Sequence, residues 1–295
     1  MNIEVFTCYH KQYPVPESDV IVPIHVGKAR SSAMLDMQGD NEGSDHISHK
    51  NPYYCELTAL YWAWKNSSAD AIGLFHYRRF LNFKNNKSKV VSDLNNLGQK
   101  FNINKENIQK LLKHNDIILP QKAKRSLPLY DNYASRHISS DLDLVIEIIE
   151  KDYPAMIPVS KKVLKQNLGY FSNMLIAHKN IFHEYCEWLF DILFKVEAQI
   201  HSDVINRESY QQRVYGFLSE RLLTIFIEYK KQTSNIKIAE VPVIFVDEKR
   251  SAYQVLHTEN KVRHYLFGVQ FYKTLTKQNK TTYYLFGIPI FRKSK

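Results

Sequence analysis

The 295-residue chain is 44% hydrophobic and 13% aromatic, enough apolar material for one large α/β domain with a smaller appendage. Its 40 Lys and Arg against 30 Asp and Glu give a formal charge of +10, which favours an anionic partner: nucleic acid, an anionic bilayer or a phosphate-bearing substrate. Three widely spaced cysteines, Cys8, Cys55 and Cys186, exclude a disulfide framework and a zinc knuckle, and no run approaches the roughly 20 apolar residues of a membrane span.

The opening MNIEVFTCYHK is too short and too polar for a signal peptide, so the expected location is the cytoplasm. IEVFTCY (3–9) predicts a first strand, and VIVPIHVG (20–27) a second that ends at Gly27. Residues 28–50 have loop composition, and so long a loop in a compact domain is often functional. Asn51-Pro52 reads as an N-cap followed by proline at the first helical position. The helix behind it carries Tyr53, Leu57, Leu60, Tyr61 and Trp64 on one face. AIGLF (71–75) is a strand that runs into His76, Tyr77, Arg78 and Arg79.

The Asn- and Lys-rich stretch 82–107 reads as an insert or flexible surface, and IIL (117–119) as a short buried strand. A helical stripe of Leu142, Val145, Ile146 and Ile149 follows Ser140, with Asp141 and Asp143 suited to its first turn. SNMLIAH (172–178) has strand character. Ile181 to Val196 keep helical spacing, another helix covers about 209–230, and VPVIFV (241–246) is a late strand. Strands alternating with helices argue for a layered α/β domain.

In the tail, YLFGVQFYK (265–273) is echoed nineteen residues later by YLFGIPIFRK (284–293). Basic and aromatic residues so interleaved either lie against an anionic bilayer or form a hairpin or helix packed on the domain. The expected division is a domain over 1–250 and a basic aromatic tail over 251–295.

The tip of the third strand concentrates charge. If residues 72–78 stay extended, His76 and Arg78 point to one side and Tyr77 and Arg79 to the other. Arginine offers a planar donor fork matched to phosphate, and ligand loops in α/β sheets sit at the carboxyl ends of strands. Two readings stay open: a diphosphate site, or a surface salt-bridge cluster.

Several stretches together resemble one family, the DUF4422 glycosyltransferases of bacterial capsule, O-antigen and exopolysaccharide pathways, some linked to galactofuranosyl transfer from UDP-galactofuranose. They are CYHKQYPVP, VIVPIHVG, GDNEGSDHISHKNPYYCELTALYWAWKN, IGLFHYRRF, NMLIAHKNIFHEYCEWLFDILF and YQQRVYGFLSERLL, spread over roughly residues 1–245. YLFGIPIFRK is similar to tails on many other surface-polysaccharide transferases. The resemblance implies a GT-A-like, single Rossmann-type α/β domain with a mixed central sheet flanked by helices. It also implies a UDP-sugar donor, a lipid-linked or oligosaccharide acceptor, and work at the cytoplasmic face of the inner membrane, with the tail on the anionic lipid surface.

Many GT-A enzymes end the corresponding strand in Asp-x-Asp, which holds Mn²⁺ or Mg²⁺ against the donor diphosphate. Here His76-Tyr77-Arg78 has that spacing and the opposite charge. Transfer is therefore expected to be metal-independent or only weakly dependent on Mn²⁺ or Mg²⁺, neither being essential, with Arg and His on the diphosphate directly. The resemblance places His10, Gly27, Lys28, His76, Arg78, Arg79 and Asn173 at the donor, and Asn41, Asp45, Tyr77 and Arg221 at the sugar or acceptor. Asp40, Asn41 and Asp45 serve either sugar hydroxyls or turn and capping chemistry. An inverting enzyme needs a carboxylate to deprotonate the acceptor, and Glu220 is the first choice with Asp40 in reserve. The competing role for Glu220 is a buried ion pair with Arg221. Rival functions are a non-catalytic sugar- or nucleotide-binding protein and a nucleic-acid-binding protein. The second lacks any zinc pattern or recognised RNA-binding signature, so nucleic acid is not an expected partner.

Overall fold

The structure, a computed structural model, describes residues 1–84, 87, 89–92, 94–247, 253–258, 261–266, 269–277 and 280–294. It comprises two compact units, one of residues 1–88 with 96–243 and one of 89–95 with 244–295. The expected boundary at residue 250 compares with a break after Val243, and 89–95 joins the second unit.

The first unit is built on a mixed sheet. β1 (Ile3–Tyr9) and β2 (Ile21–His25) are parallel neighbours, and β3 (Gln38–Gly39) adds an edge beyond β2. β4 (Ala71–His76) lies parallel on the other side of β1 and turns at once into β5 (Arg79–Leu81). β6 (Lys89–Val91) belongs to the second unit. β7 (Ile117–Pro120) follows, and β8 (Ala123–Lys124) forms a small ribbon with β9 (Leu168–Gly169). β10 (Leu175–His178) inserts antiparallel between β4 and β7, and β11 (Ile238–Val241) runs parallel beside β7. The order is β11-β7-β10-β4-β1-β2-β3. β1 and β4 are buried almost throughout, so their near-continuous apolar runs are those of central strands covered on both faces.

The helices are α1 (Asn51–Tyr54), α2 (Leu57–Asn66), α3 (Leu97–Lys100), α4 (Lys105–Leu112), α5 (Leu129–Ala134), α6 (Ser139–Asp152), α7 (Ile157–Lys165), α8 (Lys179–Val204) and α9 (Val214–Thr233). α2 packs on β1 and β4, and α8 packs on β4 and β10. α6 and α9 pack on α8, and α7 packs on α9. The layered α/β expectation is met.

Three local expectations change. The helix predicted behind Asn51-Pro52 is broken at Cys55, whose φ of 53° interrupts the α1–α2 run. Asn51 bridges the break, its Nδ2 donating to Cys55 O at 2.8 Å. The stretch 82–107 is more than surface: α3 and α4 are ordered helices, Phe101 and Ile103 are buried, and Asn104 caps α4 by accepting from Asn107 N at 3.0 Å. The third change, at the tip of β4, concerns the candidate site.

In the second unit β12 (Val243–Val246) pairs in parallel with β6 through residues 244–246. An antiparallel meander follows, β13 (Tyr253–Thr258), β14 (Lys261–Leu266), β15 (Val269–Lys277), β16 (Lys280–Leu285) and β17 (Ile288–Ser294). The echo in the tail is thus a repeated hairpin. Its strands shift register between His264 and Tyr265 in one copy and between Tyr283 and Tyr284 in the other. Leu266 pairs with Val269 as Leu285 pairs with Ile288. The second turn is Phe286-Gly287, both at positive φ, the conformation a two-residue hairpin loop requires. Residues 267 and 268 of the first copy lie outside the described residues.

Candidate active site

A cleft of about 580 Å³ opens at the carboxyl ends of β1, β2 and β4. Register puts the strand ends together, since Cys8 pairs with His76 and Tyr9 with His25. The basic motif does not continue as an extended strand. β4 stops at His76, Tyr77 and Arg78 form a two-residue turn, and Arg79 pairs back with His76. Antiparallel partners share a face, so the alternation expected for the four residues is replaced. His76 now lies beside Arg79, and all four residues line the cleft.

Ser172 holds this hairpin. His76 Nε2–H donates to Ser172 O at 2.5 Å, Arg79 Nη1 reaches Ser172 Oγ at 3.5 Å, and Ser172 N–H donates to Glu220 Oε1 at 2.9 Å. Ser172 and Asn173 have φ of 84° and 49°; this backbone favours glycine, is tolerated by asparagine and is strained for serine. Asn173 is 1% exposed, and its Nδ2 donates to Glu56 Oε1 at 2.8 Å.

Arg213 enters the cleft from the start of α9, with Nε donating to Cys55 Sγ at 3.1 Å. Arg78, Arg79 and Arg213 are all exposed. Glu56, set on the kink between α1 and α2, brings a carboxylate among them. Burial holds His76 below its ordinary value, and burial with Lys11, Arg78 and Arg213 does the same for His10. Both imidazoles are thus neutral at pH 7, and the positive charge resides on guanidinium groups. Burial pushes the Cys55 thiol up to about 12, so it is no thiolate nucleophile at neutral pH. Tyr77 makes edge contacts with His10 and Tyr13 at 5.1 and 4.9 Å between centroids, an aromatic wall beside the cations.

The other expected site residues lie elsewhere. Asp40 is 0% exposed and clamps the turn after β2: it accepts from Gly27 N at 2.8 Å, from Lys28 N at 3.1 Å and from Ser48 Oγ. Gly27 has φ 69°, which this turn needs. Lys28 Nζ donates to Ala33 O at 3.0 Å. Asn41 sits over Gly39, and Asp45 accepts from Tyr61 OH at 2.8 Å on the flank of α2. None of Asp40, Asn41, Asp45, Gly27 or Lys28 lines the cleft.

Arg221 is 4% exposed and turned into the protein, donating to Glu220 Oε2 at 2.9 Å and Asn132 Oδ1 at 3.0 Å. Glu220 therefore has both oxygens engaged, behind Ser172. Burial pushes its carboxyl up against the opposing pull of Arg221. The ion pair between Glu220 and Arg221 is the geometry adopted. Asp141 pairs with Arg207 at 2.6 Å, and Asp143 accepts from Tyr130 OH at 2.8 Å, which accounts for that Asp-Leu-Asp run.

A divalent ion held by paired carboxylates does not fit these residues. Glu56 is the one acidic residue at the cleft, and no three His, Cys, Asp or Glu side chains converge on an ion-binding point among the described residues. Sequence reasoning passed over Glu56, Arg213 and Ser172. Glu56 carried one faint signal, an acidic residue directly before the first leucine of a buried helical stripe.

The model of DUF4422, a domain of unknown function, matches residues 4–232. A solved structure of the bifunctional glycosyltransferase WbbM, in its apo form, is similar with a TM-score of 0.78 and 37% identity, over 84% of this chain and 46% of that one. The chain thus spans about half the length of WbbM. No curated protein matches. The mixed sheet with flanking helices is the GT-A-like architecture expected from the sequence. From these motifs, this fold and a match that runs over most of its length, the chain belongs to the DUF4422 family.

Proposed function

We propose that this chain is a glycosyltransferase that moves a hexose, galactose or galactofuranose, from a UDP-sugar to a lipid-linked or growing surface-polysaccharide acceptor with inversion. The observation that carries the reading is the convergence of Arg78, Arg79 and Arg213 on one cleft at the strand ends. Guanidinium forks match diphosphate oxygens and stabilise the charge that develops on a departing diphosphate. The similarity to WbbM supplies the reaction class. The same cations replace a metal, so turnover persists in EDTA, and a strict requirement for added Mn²⁺ contradicts this.

The test is calorimetry with UDP, followed by transfer assays over UDP-galactose, UDP-galactofuranose and other nucleotide sugars. Micromolar UDP binding that weakens at least tenfold in Arg213→Ala supports the reading. Binding of nucleic acid without UDP binding rejects it.

The tail adds the membrane side of the proposal. At the β16–β17 hairpin, Phe286 and Ile288 are 68% and 67% exposed, Leu285, Ile290 and Phe291 are also exposed, and Arg292 and Lys293 follow. Apolar residues beside cations suit the interface of an anionic bilayer at the cytoplasmic face of the inner membrane. No helix among the described residues is long and apolar enough to cross a membrane. Co-sedimentation with phosphatidylglycerol vesicles should fall sharply in Phe286→Asp/Ile288→Asp, and unchanged binding contradicts the assignment.

A further inference from the structure

We infer that Glu56 is the general base that deprotonates the acceptor hydroxyl, an assignment that rests on the glycosyltransferase reading above. Glu56 is the acidic side chain that reaches the cleft, within the electrostatic reach of His76 and Arg213. Its two oxygens are unequal. Oε1 accepts from the buried Asn173 amide at 2.8 Å, and Oε2 has no protein partner among the described residues. A carboxylate held on one oxygen and open on the other is oriented to take a proton from a bound hydroxyl.

The backbone around it is built for that placement. Cys55, at φ 53° and ψ −130°, ends α1 and starts the kink that carries Glu56 into the cleft. Asn51 holds the carbonyl of Cys55, and Arg213 holds its sulfur. Asn173, the partner of Oε1, sits at positive φ as well. Cys55, in backbone that only glycine adopts freely, is pinned beside this carboxylate by side-chain hydrogen bonds, and strain so held marks a functional position. Glu220 and Asp40 lack this freedom, because their oxygens are taken by Ser172 and Arg221 in one case and by Gly27, Lys28 and Ser48 in the other.

The acceptor O–H proton passes to Glu56, and the oxygen lone pair forms a bond to the anomeric carbon on the face opposite the diphosphate. The bond from that carbon to the diphosphate oxygen breaks, and its electron pair leaves as charge on UDP, received by the arginines. The anomeric configuration inverts, and Glu56 returns its proton to water.

The experiment compares wild type, Glu56→Gln and Glu56→Asp for transfer rate, UDP affinity and the pH dependence of kcat/KM, with product configuration read by NMR. Glu56→Gln is expected to lose about 100- to 1,000-fold in kcat, to keep UDP affinity within threefold, and to lose the acid limb of the pH profile. Glu56→Asp, which keeps the charge, should retain the limb with a lower rate, and the wild-type product should be inverted. Glu56→Gln within threefold of wild type, a retained configuration, or an acid limb abolished by Glu220→Gln instead overturns the assignment. A wild-type protein that binds UDP and transfers sugar while Glu56→Gln does the same defeats only this inference. A wild type that neither binds UDP nor transfers from any nucleotide sugar defeats the glycosyltransferase reading and this inference with it.

Discussion

The arginines at and behind the cleft differ in burial, with opposite consequences. Arg78 and Arg213 are exposed at the cleft, and Arg78 meets little of the protein beyond the face of Tyr77, 5.0 Å from the ring centroid. Removing Arg78 should barely move the unfolding temperature, because exposed substitutions stay within about ±0.5 kcal/mol, whereas removing Arg213 also releases Cys55 Sγ and should lower it. UDP binding should weaken by about 1.5–3 kcal/mol, the worth of a charge-assisted hydrogen bond, which calorimetry reads as roughly 10- to 150-fold. Arg221 is the reverse. It joins Glu220, Asn132 and the faces of Tyr133 and Phe171, so Arg221→Met leaves Glu220 without its ion-pair partner. A loss of about 3–5 kcal/mol in urea unfolding is expected, and a neutral result would mean that the pair holds little.

Among elements, the junction of β4 and β10 sets the site. Gly73 lies opposite Ile176, and a Cβ there would stand 2.7 Å from Ile176 Cγ1 and 2.8 Å from the Leu175 carbonyl oxygen. Neither neighbour can yield without moving β10, whose lead-in carries Ser172 and Asn173. Gly73→Ala should therefore cost about 1–3 kcal/mol of stability and lower turnover with it. Calorimetric unfolding alongside a transfer assay checks both, and full activity in a destabilised variant would uncouple the strand pair from the cleft. The sequence showed these elements well: β1, β4, β7, α6, α8 and α9 all arise where apolar periodicity or continuous apolar runs put them. It did not show the break at Cys55, because a non-glycine residue at positive φ is held there by distant partners, Arg213 among them, rather than by local propensity.

Over the whole molecule, partly desolvated histidines set the response to acid. His10, His25, His76, His137 and His183 all lie below the ordinary value of 6.5, with burial the leading cause in each. Below pH 6.5 the unfolded chain takes up protons that the folded chain refuses, so stability falls as pH drops through 6.5 towards the depressed folded values. Glu220 acts in the other direction: its raised folded value means that its protonation on acidification favours the folded state. Among the described residues one raised carboxyl stands against five lowered imidazoles, which leaves a net loss, and the unfolding temperature should decline from pH 7 to pH 5. A flat profile over that range would mean that these rings protonate freely in place.

What the sequence by itself determined is local: strand and helix positions, the excess of positive charge, the repeated tail segment, and the cations at the end of a strand. Periodicity and composition act over a few residues, and those features need nothing more. Tertiary structure decided the rest. His76 and Arg79 share a face because the chain turns back at Tyr77-Arg78, which strand alternation cannot foresee. Glu56, Asn173 and Arg213 meet because strand pairing and helix packing bring three distant segments to one point, at a free-energy cost in backbone strain that only the folded core can carry. The basic strand tip was visible in one dimension; the acid that faces it was not.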